Sequence, residues 1–464
     1  MLHPFSKTLL AFAVTLLLGA CAVTRVDPPE AATAPAQFKE ALPSSQAAAQ
    51  PVPDAWWTLF QDPVLDELER RVVIGNETLK ASVAQLAAAR ATLNASQTAV
   101  YPTVSAGLNG TRAYTNTSSA SGNPADNVSL AASASWELDL WGRLSMATQG
   151  AQATAQASEA DLAAARLSVQ AALAQGYFSL RAAEVQQELL TRNVLAYQKA
   201  LELTQVRYSA GVAGLTDVLQ AKTQLNGTQT QLADTMAQRA QLEHALAVLL
   251  GLPPSSFSLV RTATLPAAVL VPSSLPSTLL ERRPDIAAAR ERVKAAYAQI
   301  GITDAALFPT LSLSASAGYG QNSIANLLNT PNLLWNLGAG LTQSLFDGGT
   351  RKLASAQARA TAEQVTSSYR QLVLTALQEV EDNLVLSSRL QDEVSSQTEA
   401  WQSAQRNLDI VMAQYRAGTV GYLNVSAAQS SALTAEATLV TVRNRQLAAV
   451  NTLLKNLAGR WEAS

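Results

Sequence analysis

The side chains that most often carry out chemistry are scarce in this chain of 464 residues, which has one cysteine, Cys21, and two histidines, His3 and His244. The sequence has no Gly-rich phosphate loop ending in Lys and Ser or Thr, no Gly-x-Ser-x-Gly elbow and no paired Cys/His metal spacing. His244 falls in a helical stretch and reads as a structural residue. Arg283-Pro284-Asp285 reads as a helix start, with proline and an acidic side chain in the first turn. These residues predict no enzyme, no cofactor and no metal. Cys21 is left as the one position whose surroundings point to a definite reaction.

That reaction is lipidation. Leu9 to Leu18 is apolar apart from Thr15. The run is too short for a bilayer, which takes about 20 apolar residues, and has the size of a signal-peptide core. Leu18-Gly19-Ala20-Cys21 follows and resembles a bacterial lipobox, in which the thiol receives a diacylglycerol. The alternative is an ordinary secretory signal beside an incidental cysteine. As the only cysteine, Cys21 cannot form an internal disulfide. Ala22 follows where an acidic residue would retain such a protein in the inner membrane, so the predicted destination is the outer membrane. Two or three acyl chains, at about 0.8 kcal/mol per buried methylene, suffice for anchoring.

Formal net charge is −2, which offers no basic surface for nucleic acid. Charged residues make up 15% of the chain, below the roughly 25% usual in soluble proteins. After the leader no stretch of about 18 continuous apolar residues appears, so no transmembrane helix is expected. Two classes remain, a periplasmic soluble protein and an outer-membrane β-barrel.

The elements must be read in two copies, because the chain repeats itself. Tyr101-Pro102-Thr103-Val104-Ser105 recurs as Phe308-Pro309-Thr310-Leu311-Ser312, a step of 207 positions. Tyr208-Ser209-Ala210-Gly211-Val212-Ala213-Gly214 recurs as Tyr415-Arg416-Ala417-Gly418-Thr419-Val420-Gly421 at the same step of 207. The predicted organisation is a signal peptide over 1–20, a proline-rich lipid-anchored tether over 21–55, one repeat over 56–252, a linker over 253–276 and a second repeat over 277–464.

Each repeat predicts the same order of elements. Helices near Glu77–Thr98 and Asp285–Ala305 are each followed by two strands, at about 103–116 and 127–141, then 310–321 and 333–346. Val128, Leu130, Ala132, Ala134, Trp136 and Leu138 alternate with polar or small residues, the period of two that marks a strand with two unlike faces. The period then changes to steps of three and four, as in Leu190, Val194, Tyr197, Leu201, Thr204 and Tyr208, or Trp401, Ala404, Leu408, Val411 and Tyr415. No proline interrupts 141–250 or 347–464. A helix of about 60 residues, about 90 Å long, is therefore expected in each repeat. It should turn at Gly211–Gly214 or Gly418–Gly421 and return as a second helix, paired by heptad stripes. Four strands cannot close a membrane barrel alone, since barrels start at about eight strands and open edges are excluded from hydrocarbon. Several copies must share one barrel.

With these features the sequence resembles the TolC-type outer-membrane efflux factors, in particular their NodT-like lipoprotein branch. The motifs that carry the resemblance are Trp56-Trp57-Thr58-Leu59-Phe60-Gln61-Asp62-Pro63, Trp136-Glu137-Leu138-Asp139-Leu140-Trp141-Gly142-Arg143, Leu280-Glu281-Arg282-Arg283-Pro284-Asp285-Ile286, Phe346-Asp347-Gly348-Gly349 and Glu379-Val380-Glu381-Asp382. The resemblance implies a mixed fold of α-helices and a membrane β-barrel, with two tandem repeats each giving two strands and a long helical hairpin. It implies a homotrimer whose 12-stranded barrel continues as a helical periplasmic tunnel. The implied function is the exit duct of a tripartite pump, passing drugs or toxic compounds outward. Its implied partners are a periplasmic adaptor (membrane fusion) protein, an inner-membrane pump of the resistance–nodulation–division class and outer-membrane lipid.

Under the same resemblance Tyr208, Gly211, Gly214, Asp217, Tyr415, Gly418, Gly421 and Asn424 form the periplasmic tip, where the pore closes and the adaptor docks. Plain hairpin turns are the alternative for the glycines. Some members close the tip with paired aspartates and a nearby arginine, but this chain has Asn424, Ala427 and Val420 there. Asp217 is then expected to pair with the Tyr415 phenol, in a gate resting on packing and neutral hydrogen bonds. Glu379, Glu381 and Asp382 read as a solvated or lumen-facing patch. Two rivals stay in view: a TolC-like channel for protein secretion, and a periplasmic coiled-coil adaptor, which would carry a single hairpin.

Overall fold

A computed structural model describes residues 27, 38–40, 53–114, 124–269 and 283–458. The signal segment, Cys21, most of the 21–55 tether, residues 115–123 of the first strand loop, residues 270–282 and the last six residues lie outside the described residues.

A short 3-10 turn at Trp56–Phe60 precedes helices α1 (Pro63–Gly75) and α2 (Glu77–Thr98), then strands β1 (Thr103–Ala113) and β2 (Ala125–Leu138). A 67-residue helix α3 (Arg143–Ser209) and a 35-residue α4 (Leu215–Leu249) complete the first repeat. The second repeat gives α5 (Pro284–Ala305), β3 (Thr310–Gln321), β4 (Leu333–Thr342), the 68-residue α6 (Thr350–Ala417) and the 36-residue α7 (Tyr422–Leu457). The helix expected at Glu77–Thr98 has those bounds, and the long helices exceed the expected length. β2 and β4 stop at Leu138 and Thr342, three and four residues early, because the chain beyond them is taken up by the start of the next helix.

The junction motifs show why. Asp139 accepts from the Leu144 and Ser145 amides at 2.9 and 2.8 Å and from the Ser145 hydroxyl at 2.6 Å, capping α3. Arg143 grips both oxygens of Glu137, and Gly142 takes φ of 76°, a left-handed turn that glycine adopts without steric cost. At the second junction Asp347 accepts from the Gly349 and Arg351 amides and from Arg351 Nε at 2.7 Å, while Gly348 and Gly349 take φ of 65° and 89°. Trp141 ties the repeats together in this region, stacking on Phe308 at 5.0 Å and donating Nε1 to the Pro309 carbonyl.

The chain divides into two compact units, one built on Gln85–Glu159 and Ala288–Arg370, the other on Ala32–Ala84, Ala160–Ala287 and Gln371–Ser464. The first unit holds a four-stranded antiparallel sheet of order β1-β2-β3-β4. The second has its main core where Trp56, Phe60, Leu65, Leu68 and Val72 meet Tyr177, Phe178, Leu246, Leu250 and Leu454. Asp62 caps α1 through the Val64 and Leu65 amides and also accepts from the Tyr177 hydroxyl at 2.6 Å. Below that core Glu184 is buried between Arg181 and Arg239, at 2.6 and 3.1 Å. The same three residues fasten the inter-repeat linker, through the Leu259 and Val260 carbonyls and the Thr262 amide.

Candidate functional site

The two faces of the sheet are chemically opposite, and the register proves it row by row. Leu130 faces Leu108 and Tyr319, Ala134 faces Ala315 and through it Leu337, and Trp136 faces Leu313 and through it Ala339. On the other face Ser133 lies between Ser105 and Ser316, and Ser135 pairs with Ser314 and through it Gly338. The Ser105 and Ser133 hydroxyls share a hydrogen bond of 2.8 Å. Leu108, Trp335, Leu337 and Leu341 are 62–74% exposed, a broad apolar surface that water would penalise and hydrocarbon would not. No helix among the described residues is long and apolar enough to cross a membrane. β1 and β4 each keep one unpaired edge within the chain.

The two helical turns have the same backbone. In the first, Gly211 takes φ of 75° and donates to the Tyr208 carbonyl while Val212 donates to Arg207; in the second, Gly418 takes φ of 81° and donates to Tyr415 while Thr419 donates to Gln414. This is the paired closing pattern of a helix ending on a left-handed glycine. Gly214 and Gly421 instead sit at φ of −85° and −82° as helix N-caps, so only Gly211 and Gly418 need to be glycine for backbone reasons.

Side chains at the two turns differ sharply. Tyr415 is 2% exposed, its hydroxyl shares a 3.0 Å hydrogen bond with Thr204, and the Arg207 guanidinium lies 4.6 Å from its ring centre. Arg207 also donates Nη1 to the Tyr415 carbonyl. Tyr422 packs edge-on against Tyr415 at 5.9 Å within a cluster of Ala200, Ala221 and Val425. Burial, then the neighbouring Tyr415, Tyr197 and Asp217, pushes the Tyr422 phenol up to about 12, and its hydroxyl has no hydrogen-bond partner among the described residues. Tyr208 is 46% exposed and Asn424 is exposed. The Asp217 carboxylate accepts from the Gly214 amide at 3.4 Å, as a helix cap does. The expected Asp217–Tyr415 pair is therefore not formed within the chain: Thr204 takes the phenol. The expected reliance on neutral contacts also needs correction, since Arg207 supplies a cation from the first hairpin. Its position just before Tyr208 gave no sign of this, because the partner lies 208 residues away.

Two acidic residues read as a solvated or lumen-facing patch prove to be structural. Glu379 pairs with Arg283 at 3.1 Å, and Arg283 also holds Asp285 at 2.7 Å. Burial works against the Asp285 charge, but the hydrogen bonds and charge of Arg283 prevail and hold the carboxyl below its usual range. Glu381 accepts the successive amides of Lys39 and Glu40 at 2.7 and 3.0 Å, beside a buried Phe38, so the tether is clasped to α6 at that point. Glu69 on α1 is fully buried with both oxygens unpartnered among the described residues; burial first, then Asp66, pushes it up to about 9. No group of three or more His, Cys, Asp or Glu side chains suited to a metal occurs among the described residues. A cavity of about 670 Å³ between α3, α4 and α7 is lined by neutral groups, among them Gln186, Gln231, Thr434, Thr438 and Asn444.

The profile of the family described as Outer membrane efflux protein matches residues 70–252 and 275–459. The chain is 31% identical over 469 residues to a pyoverdine export outer membrane protein, OpmQ, of Pseudomonas aeruginosa, with 98% of each chain covered. It is 29% identical over 467 residues to a toluene efflux pump outer membrane protein, TtgC, of Pseudomonas putida, covering 98% of this chain and 96% of the relative. Among solved structures, the outer-membrane channel OprN superposes with a TM-score of 0.87 at 27% identity, covering 94% of this chain and all of that one.

Proposed function

The chain belongs to the outer membrane efflux protein family and is the outer-membrane exit channel of a tripartite efflux pump, and from that premise we propose how its residues build the duct. Three copies join β4 of one sheet to β1 of the next, closing a 12-stranded barrel that satisfies both edges left unpaired in one chain. The apolar face of Leu108, Trp335 and Leu337 turns to lipid. The serine and glycine face lines the lumen. That two-faced sheet is the observation that carries the reading.

In this reading the duct is passive and catalyses nothing. Small neutral side chains along the inner face set no strong charge filter, which suits solutes as unlike as those named for OpmQ and TtgC. Selection is left to an inner-membrane pump of the resistance–nodulation–division class, reached through a periplasmic adaptor. The turns at Gly211–Gly214 and Gly418–Gly421 form the periplasmic mouth, with Tyr208, Asp217, Tyr415 and Asn424 around it. The repeats run over 56–252 and 277–464 about the 253–276 linker, and Cys21 carries the lipid that anchors the 21–55 tether. Outer-membrane fractions run unheated on denaturing gels should give a trimer band that collapses on boiling, and labelled palmitate should be lost in Cys21→Ser. A monomer in both lanes would refute the shared barrel, and palmitate retained without Cys21 would refute the anchor.

A further inference from the structure

The apolar side of the sheet is not evenly filled. Two neighbouring rows across β2, β3 and β4 read Trp136, Leu313, Ala339 and Ala134, Ala315, Leu337. Among these larger side chains the three alanines leave a trough of about 530 Å³, bounded at one end by Pro102 just before β1. In the next row Ala132 faces Ala317, so the floor stays small towards the opposite end. The wall near Pro102 is pinned, because Trp136 donates Nε1 to the Val100 carbonyl at 2.8 Å. The trough is centred on the inner strand β3, so copies joined at the free edges of β1 and β4 add strands beside it rather than over it.

In the duct described above, the Pro102 end of the trough is its periplasmic end, where α2 leads into β1 and α3 follows β2. Just beyond that end one residue of the tether is placed. Asp27 shares a hollow with Met146 on α3 and with Ala298 and Gly301 on α5. Met146 is three residues, about 5 Å, from the start of α3. At that start Arg143 grips Glu137, the neighbour of Trp136. Cys21 precedes Asp27 by six residues, a span of at most about 20 Å when extended. The thiol is thus within reach of the rim of the sheet. We propose that the diacylglycerol carried by Cys21 lays an acyl chain in this trough, on the sheet of its own chain. The proposal rests on the lipidation of Cys21 and on the barrel described above.

Chemistry favours that occupant over a free phospholipid. No charged side chain lines the trough. The arginines at the two strand–helix junctions are already engaged, Arg143 with Glu137 and Arg351 with Asp347 and the Ser344 carbonyl. A phosphate headgroup at this end would find neither guanidinium free to pair with it. A diacylglycerol on a thioether brings no charge. Tied to the chain beside the trough, it also loses less freedom on seating than a free lipid does. A methylene chain over the alanine floor supplies the contacts that an unfilled hollow forgoes. The lipid of each copy then becomes part of the packing of the barrel as well as its anchor.

The test uses full-length protein in outer membranes of cells fed a palmitate analogue with a diazirine in its chain, which enters both protein-bound lipid and free phospholipid. After irradiation, peptides are identified by mass spectrometry. The expected product joins the Cys21 peptide to a peptide of β2, β3 or β4 that lines the trough, and runs at monomer mass on boiled gels. Ala315→Phe should cut its yield severalfold by filling the floor, and Ala134→Leu is a second variant should the first lower trimer yield. A lipidated Cys21 with only phospholipid adducts on the strands would overturn the seat while leaving the lipidation standing. A joined product only at dimer mass would put the lipid on another copy and overturn it equally. A Cys21 without lipid would overturn the lipidation and the seat together. A joined product of unchanged yield in both alanine variants would refute the trough as its place.

Discussion

The guanidinium of Arg207 lies 4.6 Å from the ring centre of Tyr415 and the same side chain donates to the Tyr415 carbonyl, so one residue of the first hairpin holds both the ring and the backbone of the second. A cation over an aromatic ring contributes about 0.5–2 kcal/mol, more as water is excluded. Arg207→Ala should raise single-channel conductance and leave the trimer folded. Tyr415→Phe loses only the Thr204 hydrogen bond, worth about 1 kcal/mol, and should raise conductance less. Equal conductance in wild type and Arg207→Ala would show that the mouth is closed elsewhere.

Tyr422 makes a second case, in which a hydroxyl is buried without a partner among the described residues. Its folded-state pKa, near 12, is raised above the ordinary tyrosine value of about 10. Stability tied to the neutral phenol is therefore complete below pH 10 and is lost as pH rises through 12. Tyr422→Phe should flatten this alkaline loss and be neutral or stabilising by about 1 kcal/mol at pH 7. Thermal melting across pH 8–12 checks it, and a clearly lower melting temperature for Tyr422→Phe at pH 7 would mean the hydroxyl has a partner.

The same sign governs Glu69, whose carboxyl is pushed up to about 9 by burial and Asp66. A carboxyl raised in the folded state contributes most below its ordinary pKa of about 4.3 and loses that contribution as pH rises towards 9. Glu69→Leu should remove the slope and raise stability at pH 8, because a buried acid without partners is replaced by an apolar side chain. Denaturation of the purified protein at pH 5 and pH 8 compares the two, and a parallel pH dependence in both proteins would refute the assignment.

At Glu381 the expected readout is proteolysis. The carboxylate accepts from the Lys39 amide and from the Glu40 amide of the Lys39–Glu40 peptide bond, while the Lys39 side chain is 87% exposed. Trypsin should cut there slowly in the folded protein and much faster in Glu381→Ala. Mass spectrometry of the released N-terminal fragment measures the rate. Equal rates would mean that the clasp does not hold the tether.

Much of this was legible in the sequence wherever a period carries the information. The alternation through Val128–Leu138 placed a two-faced strand, and the proline-free heptads around Tyr197 and Trp401 placed the long helices. The repeat step of 207 brings Tyr208 into register with Tyr415. What a period cannot report is which distant group a side chain meets. Glu184 has the look of a solvated helical acid three residues after Arg181, yet it is buried between Arg181 and Arg239, 55 positions onward. Arg207, Glu381 and Glu69 were hidden for the same reason: their roles are set by residues hundreds of positions away or by the burial of a helix face. The start signal of α1, Asp62 before Pro63, sits inside the Trp56–Pro63 motif that carries the family resemblance, and no apolar period beside it marks the helix.

The most direct test of the duct is single-channel conductance of protein extracted from outer membranes, recorded in planar bilayers with Arg207→Ala as the open background. Ser314→Arg puts a cation on the serine face and should cut cation conductance without lowering trimer yield. Leu337→Arg faces lipid and should leave the conductance of inserted channels unchanged, while costing about 2–4 kcal/mol of insertion and so reducing their number. A sheet that lines a conduit requires these two outcomes to differ. Equal effects from the two faces would contradict it.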